Sequence, residues 1–194
     1  MASRKGLQFY QKEKKLNPKL LTDLFEMMIL TFVVIFLAFA ITYFVGMRTS
    51  IIGDSMEPSL YNGQEILINR FIYKLSLPKR GDVVVFWPNG NQKTHYYVKR
   101  VIALPGETIQ IIDGRVYIDG SLLDEDESYS KIMDAGIAEN EILLGVDEYF
   151  VLGDNRNSSE DSRSGNIGPV KRNNIIGQAW FRMKIEGGQM GLVE

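Results

Sequence analysis

The chain has 194 residues, of which 45% are hydrophobic and 24% charged, a composition typical of one folded domain with an appendage and not of a disordered chain. Cys is absent and His95 is the single His, which excludes disulfides, a thiolate nucleophile and Cys-zinc sites and leaves little basis for a His-rich metal site. Residues 1–26 carry six Lys or Arg and three acidic residues, whereas the remainder carries 16 Lys or Arg and 21 acidic residues. An acidic body behind a basic leader is not typical of nucleic-acid binding, and we expect neither a metal nor another cofactor.

The first predicted element is the run Met27–Met47, which holds 21 residues without a charge. About 20 apolar residues cross the hydrocarbon core of a bilayer as a helix. Because Lys and Arg are concentrated before the run, the positive-inside rule places the N-terminus in the cytoplasm. The sequence therefore predicts a basic cytoplasmic tail at 1–26, a transmembrane anchor in the cell membrane at 27–47 and an extracytoplasmic domain at 48–194.

Two alternatives for the run remain open, a cleaved signal peptide and a buried core helix. A signal peptide has a shorter apolar core, and small residues follow it at a cleavage site. Gly46–Ser50 is a poor site of that kind, and Ala38-Phe39-Ala40, which matches the small-x-small pattern, lies within the run. The uncleaved anchor fits the length of the run best.

Beyond Arg48 the pattern changes to strands separated by turn residues. The segments rich in β-branched and aromatic residues, the last of which is expected to close the domain, are 65–69, 82–87, 94–103, 149–153 and roughly 176–184. Residues 108–120 alternate around Asp113–Gly114, which predicts a hairpin with a two-residue turn. No long amphipathic helix is predicted outside the anchor. The fold class is therefore mainly β, an antiparallel β-sheet or barrel-like domain behind one N-terminal transmembrane helix.

A serine in the tight segment "IIGDSMEPSL", residues 51–60, raises the question of which base could activate it. Neighbouring side chains point apart in an extended backbone, which disfavours Asp54 as the base for Ser55. His95 lacks the Asp-x-x-His motif near the C-terminus that GDSL hydrolases use, so a polar residue at a strand end is the simpler interpretation. Metal activation lacks ligands, since the acidic stretch 124–127 has neither the ligand spacing nor the Gly of a calcium loop.

The remaining candidate is Lys99, in the apolar and aromatic strand segment "HYYVKRVIA". A free Lys, with a pKa of about 10.4, is neutral in only on the order of one molecule in a thousand near pH 7. Burial in an apolar pocket can lower the pKa of a Lys by up to about 3–5 pH units. Strand alternation places Lys99 and Arg100 on opposite faces, so that one can be buried while the other is solvated or ion-paired.

A third polar segment, "GDNRNSSEDSR" at Gly153–Arg163, directly follows a predicted strand. Such a stretch forms local bonds from side chains to the backbone, and it could bring a hydroxyl or an ion pair against a site. Together with "GDSMEPSL", "RGDVVVFWP" and "YVKRVIALPGE", in this order behind an apolar anchor, it resembles the boxes of the type I signal peptidases. The resemblance covers nearly all of 27–183 and is closest to the Gram-positive form, which has one anchor.

The resemblance implies a membrane-bound serine endopeptidase that removes signal peptides from exported preproteins and uses no cofactor. It implies that Ser55 is the nucleophile, that Lys99 is its general base, and that the Ser159 hydroxyl bonds and orients the lysine amine. Met56 matches the floor of the substrate pocket. Gly53 departs from the better-known bacterial form, which has a hydroxyl residue there to help bind the oxyanion, so backbone N–H groups, that of Ser55 first, are the expected donors. Four further residues match positions that brace the site: Asp154, Arg156, Asp161 and Arg163.

Three other functions share part of this pattern. A self-cleaving Ser/Lys repressor would carry a DNA-binding helical domain and no anchor. A catalytically dispensable, membrane-anchored assembly factor on the peptidase fold would be favoured by the loss of Ser55 or Lys99, and both are present. A GDSL-type esterase would depend on His95. The expected partners are preproteins that carry a signal peptide and the lipid bilayer, and not nucleic acid or a metal.

Overall fold

The computed structural model describes residues 18–125 and 129–193. The chain divides into two compact units, Met1–Ala40 and Ile41–Glu194, and each is described by itself. The described residues do not include 1–17, which form most of the predicted basic tail, or 126–128 of the acidic stretch.

The first element is a single helix, α1, at Pro18–Val45. Pro suits the first turn of a helix, because its missing N–H would have no intrahelical partner there. The segment Pro18–Ala40 is long and apolar enough to cross a membrane, and its apolar side chains are exposed. Compared with the predicted span 27–47, the helix begins nine residues earlier and ends two residues sooner. The residue after its end is Gly46, where a Cβ would lie 2.5 Å from the carbonyl oxygen of Thr42.

The second unit is built mainly from strands, with one short helix, α2, at Ile72–Leu75. Single 3-10 turns lie at Pro88–Gly90, Gly136–Glu139 and Arg172–Asn174. The strands of the described residues are β1 (Met47–Ser50), β2 (Glu65–Asn69), β3 (Val83–Phe86), β4 (Tyr97–Ala103), β5 (Thr108–Ile112), β6 (Arg115–Ile118), β7 (Ser121–Leu122), β8 (Ile142–Leu143), β9 (Glu148–Leu152), β10 (Val170–Lys171), β11 (Ile175–Arg182) and β12 (Gly191–Leu192).

These strands form two antiparallel sheets. The larger sheet has the order β1-β2-β11-β3-β4-β9-β10, with β12 paired to β11, and the smaller has the order β7-β6-β5-β8. The strand β11 thus lies inside the larger sheet, between β2 and β3, although it comes late in the sequence. Gly177 permits this position, since a Cβ there would lie 2.5 Å from the backbone oxygen of Asn69 on β2.

The predicted strands are confirmed as β2, β3, β4, β9 and β11, with ends that differ by up to three residues. The hairpin at 108–120 is confirmed as β5 and β6. Its turn residues Asp113 and Gly114 have φ values of 50° and 73°, the left-handed pair that a two-residue turn requires. The expectation that the last predicted strand closes the domain is wrong, because β11 has a neighbour on each side and β12 follows it.

A core cluster lies behind the loop that joins β1 to β2. Ile51, Met56 and Leu60 from this loop are buried against Val83 of β3 and Val98 of β4. Full burial of one such side chain contributes about 1.5–3 kcal/mol, so the loop is fixed to the sheet at three points. The candidate nucleophile, Ser55, lies between the first two of these points, directly before Met56.

Candidate active site

Ser55 lies in the loop between β1 and β2, directly before the buried side chain of Met56. The loop is closed by a bond from the Ile51 N–H to the oxygen of Gln64 at 2.9 Å, and a bond from the Leu60 N–H to the oxygen of Met56, also at 2.9 Å, forms its second turn. Ser55 itself is only half-buried. The backbone is therefore fixed while the hydroxyl faces a cavity.

Lys99 lies in the middle of β4, whose neighbours are β3 and β9. Its side chain is 4% exposed, and its Nζ lies 2.6 Å from Ser55 Oγ, within hydrogen-bond distance. The ring of Tyr97 lies 5.7 Å from the same Nζ. The structure thus brings together the two residues that the sequence singled out as nucleophile and base.

Burial lowers the pKa of Lys99 to about 8, and the nearby carboxylates of Asp161, Glu160 and Asp154 reduce the size of this shift. Within the described residues, no carboxylate lies within ion-pair distance of Lys99. With such a pKa, about a tenth of the molecules hold a neutral amine at pH 7, on the order of a hundredfold more than for a free Lys. A neutral amine next to a hydroxyl can accept its proton.

Arg100, the next residue on β4, has a different environment. It is 7% exposed, and its Nε and Nη2 donate to Asp154 at 2.8 and 2.7 Å. Burial alone would lower the pKa of Arg100, but the hydrogen bonds and the charge of Asp154 raise it. This two-bond geometry is the strong form of an Arg–carboxylate pair, so Arg100 keeps its charge.

The loop 153–163 is braced by a second buried pair, Asp161 and Arg163. Arg163 Nε donates to Asp161 Oδ1 at 2.8 Å, and the Gly153 N–H donates to Asp161 Oδ2 at 3.0 Å. Arg163 Nη2 donates to the backbone oxygen of Arg156 at 2.6 Å. These bonds join both ends of the loop to its middle.

Arg156, which is fully buried, forms a third ion pair with Glu125 and stacks on the ring of Tyr129 at 4.4 Å. The four residues predicted to brace the site therefore all form buried ion pairs. Two of the partners, Arg100 and Glu125, were not predicted as site residues. Only the position of Arg100 beside Lys99 pointed to it, and Glu125 belonged to a stretch interpreted as a solvated loop.

Sequence reasoning also missed the residues that connect this loop to the nucleophile. The Asn155 N–H donates to the oxygen of Ser55 at 3.1 Å, and Asn155 Nδ2 donates to the oxygen of Asp54 at 3.2 Å. A Cβ at Gly153 would overlap both the Ser159 hydroxyl and the Ser55 backbone oxygen. The absent side chain of Gly153 thus lets the loop approach the nucleophile.

The structure departs from the sequence prediction at Ser159. Its Oγ is buried and has no hydrogen-bond partner within the described residues, so the predicted bond to the Lys99 amine is not formed. Gly53 has a φ of 84°, and its N–H donates to Asn62 Oδ1 at 3.1 Å. The N–H of Ser55, by contrast, has no hydrogen-bond partner among the described residues.

A cavity of about 580 Å³ opens at Ser55 and Lys99. Its walls are the chain segments 49–52, at the end of β1, and 94–98, which lead into β4, and Met56 lies within its lining. Two extended walls suit an extended peptide between them. His95 is exposed in one wall, whereas the hydroxyl of Ser55 bonds to Lys99. Residues 18–125 and 129–193 contain no cluster of side chains that could hold a metal.

The sequence matches known proteins over most of its length. Residues 24–184 match the family described as signal peptidase, peptidase S26. The chain is 31% identical to "Signal peptidase I P" of Bacillus subtilis subsp. natto, over 87% of this chain and 91% of that one. It is 38% identical to "Signal peptidase I" of Leptolyngbya laminosa, over 75% and 72%. A crystal structure of a signal peptidase I from Enterococcus faecalis V583 is 29% identical and covers 53% of this chain and 97% of that one, with a TM-score of 0.41.

Proposed function

The chain belongs to the signal peptidase family, peptidase S26, and on that premise we propose that it removes signal peptides from exported preproteins with Ser55 as nucleophile and Lys99 as general base. The observation that carries this proposal is the 2.6 Å contact between Lys99 Nζ and Ser55 Oγ at a buried amine. No other described group bonds to the Ser55 hydroxyl.

The acylation step begins with the neutral amine of Lys99. It takes the proton of Ser55 Oγ as this oxygen attacks the carbonyl carbon at the end of the signal peptide. The negative charge that develops on the carbonyl oxygen is stabilised by the open N–H of Ser55. The Lys99 ammonium then gives its proton to the amine of the mature chain as the carbon–nitrogen bond breaks, which leaves an ester on Ser55.

Deacylation repeats the same proton transfers with water as the nucleophile. Lys99 accepts a proton from the water as its oxygen attacks the ester carbonyl, and the proton returns to Ser55 Oγ as the ester bond breaks. Asn155 holds the backbone of the nucleophile loop through both steps, since its amide and its side chain bond to that loop. Asn155 and Ser159 are positioning residues in this scheme, because neither exchanges a proton with the substrate.

The cavity at Ser55 supports binding of the signal peptide as an extended strand. Its lining contains Ile51, Met56 and Val98, which offer shallow apolar surface to small side chains one and three residues before the cut. The apolar helix α1 supports a location in the cell membrane, where the substrates are themselves embedded.

The decisive experiment compares the detergent-solubilised chain with its Ser55→Ala and Lys99→Ala variants on one preprotein. We expect each variant to lose at least about a thousandfold in kcat/KM, as for other members of a catalytic unit. Lys171→Ala, at an exposed position on the edge strand β10, is the matched control and keeps full turnover. Wild-type turnover by Lys99→Ala would show that the base is assigned wrongly, and loss of activity in His95→Ala would instead favour an esterase-type site.

The proposed topology has the N-terminus in the cytoplasm and the residues after α1 outside it. Because the chain has no Cys, single cysteines can be labelled without background. A membrane-impermeant maleimide should label Val146→Cys, at a position that is 94% exposed, in intact cells, but Ser3→Cys only after the cells are permeabilised. The reverse pattern would overturn the orientation.

A further inference from the structure

A second cavity, of about 590 Å³, lies next to the cavity at Ser55 and Lys99 and has no part in the proton transfers described above. It lies between the segments 133–137 and 156–165. Glu160 lines both cavities, and Ser159 lies in the wall of the second. We call this cavity the acidic cleft, for the charges described below.

The acidic cleft adjoins the cavity at Ser55 and Lys99, since Glu160 lines both. The Ser159 hydroxyl and the Ser55 backbone oxygen are neighbours, since a Cβ at Gly153 would overlap both. Glu160 Oε2 accepts a bond from the Tyr97 hydroxyl at 3.1 Å, and the ring of Tyr97 lies beside the Lys99 amine. A peptide that leaves the catalytic pair in this direction enters the acidic cleft directly.

The chemistry of the two cavities indicates which part of a substrate each takes. The first cavity has an apolar floor that suits the small residues before the cut. The amine released by the cut must lie against Lys99, which protonates it, and the rest of the mature chain must continue away from the first cavity. The acidic cleft, which shares Glu160 with the first cavity, is the neighbouring opening that this part of the chain can enter.

The charges in the acidic cleft do not balance. Arg156 and Arg163 are paired with Glu125 and Asp161, so both cations are neutralised. Asp134 and Glu160 also line the cleft, and within residues 18–125 and 129–193 neither forms an ion pair. The Ser159 hydroxyl adds a buried polar atom without a partner among those residues. The carboxylates of Asp134 and Glu160, unpaired within the described residues, therefore give the cleft net negative charge.

We propose that the acidic cleft binds the first residues of the mature chain, and that Glu160 makes it favour a Lys or Arg side chain over an acidic one there. The inference rests on the proposed function and assigns Glu160 as a specificity-determining residue. Glu160 is exposed, so its effect is that of a carboxylate at a wet surface, modest in size and screened by salt.

The test uses preproteins that differ only at one of the first three residues after the cut, which is Lys, Gln or Glu. At low ionic strength we expect the wild-type full chain to show a kcat/KM about three- to tenfold higher for Lys than for Glu at the responsive position. Glu160→Gln should bring this ratio to within about twofold of one, and 0.5 M salt should reduce it in the wild type. Glu141→Gln, the same change at an exposed position that lines neither cavity, is the matched control and keeps the ratio.

Glu160→Gln could also change the reactivity of the Lys99 amine, so a second variant tests the preference independently. Ile137 is 38% exposed in the acidic cleft, and Ile137→Lys should shift the preference toward Glu. Comparing two substrates on the same enzyme cancels any general loss of activity. Ser55-dependent cleavage with a Lys-to-Glu ratio of one in the wild type, or with a ratio that neither variant changes, would overturn the inference alone. Absence of Ser55-dependent cleavage of every preprotein would overturn the proposed function itself.

Discussion

The two faces of β4 each carry a buried basic side chain, and the surroundings of the two side chains differ. On one face, Lys99 contacts a neutral hydroxyl and has no carboxylate partner within the described ion pairs, and its pKa falls to about 8. On the other, Arg100 is buried almost as deeply but bonds to Asp154 through two nitrogen atoms. Burial is nearly the same in both cases, but the Lys99 ammonium can lose its proton, whereas the Arg100 guanidinium stays charged and its charge is compensated by Asp154.

The comparison shows how one strand can serve both chemistry and stability. The buried amine of Lys99 costs stability, because desolvation disfavours its charged form. The buried guanidinium of Arg100 is compensated and connects β4 to the loop 153–163 through Asp154. The predictions below change one face at a time, from the largest expected effect to the smallest.

Replacing Lys99 by Arg tests whether the amine must lose its proton. A guanidinium is not deprotonated in proteins, so it cannot accept the proton of Ser55. We expect Lys99→Arg to lower kcat/KM by at least about a thousandfold with the fold intact. Preprotein cleavage and circular dichroism check this, and turnover within tenfold of the wild type would contradict the general-base role.

Removing the charge of Asp154 tests the ion pair with Arg100 on the opposite face of β4. Asp154→Asn leaves a buried guanidinium without a counter-charge, so we expect the free energy of unfolding to fall by about 3–5 kcal/mol. Chemical denaturation of the full chain in detergent measures this. The double variant Arg100→Met with Asp154→Leu removes both charges and should recover most of the loss, whereas a loss equal to that of Asp154→Asn would indicate packing and not charge.

Replacing Lys99 by Met tests the cost of the buried amine. The folded pKa of about 8 lies below the unfolded value, so the cost is fully present below pH 8 and is relieved as the pH rises toward the unfolded pKa near 10.5. We therefore expect Lys99→Met to gain about 3 kcal/mol of stability at pH 7 and progressively less above pH 8. Thermal unfolding between pH 6 and pH 10 measures this, and a gain that does not change with pH would contradict the lowered pKa.

The pH dependence of cleavage tests the same pKa by rate. Because only the neutral amine can accept the Ser55 proton, kcat/KM should rise with pH and level off above about 8. We expect about a tenfold rise between pH 7 and pH 9. Initial rates at substrate concentrations well below KM provide the profile, and a flat profile over this range would argue against Lys99 as the base.

Ser159→Ala is expected to have the smallest effect. The hydroxyl forms no bond within the described residues, so it can contribute to the rate only through a bond that forms when the substrate is bound. We expect a three- to tenfold lower kcat/KM, roughly the worth of one neutral hydrogen bond. A shift in the pH profile of the variant would place its action on Lys99, and a change in KM alone would place it on the substrate.

Local sequence signals predicted the parts of the fold that local forces build. The strands β2, β3, β4, β9 and β11 carry β-branched and aromatic runs, and the turn at Asp113–Gly114 specifies its own backbone angles. The two-residue strands β7, β8, β10 and β12 are too short to show a pattern. The position of β11 between β2 and β3 depends on the close approach at Gly177, which no local signal announces.

The candidate site also has parts that local sequence signals predict and parts that they do not. Ser55 and Lys99 were predicted as a pair because a hydroxyl needs a base, one apolar strand offered a lysine, and their motifs resemble those of a known family. The ion pair of Arg156 with Glu125 joins residues 31 positions apart, so it could not be inferred from spacing. The expected bond from Ser159 to Lys99 came from a resemblance. In the structure the Lys99 amine bonds to the Ser55 hydroxyl instead.

The position of β11 has a consequence for the timing of synthesis. In the larger sheet, β1 and β2, which flank the loop with Ser55, are joined to β3 and β4 through β11, which ends at Arg182. During translation both residues leave the ribosome long before the strand that holds them in register. We therefore expect the candidate catalytic pair to form only after β11 has left the ribosome.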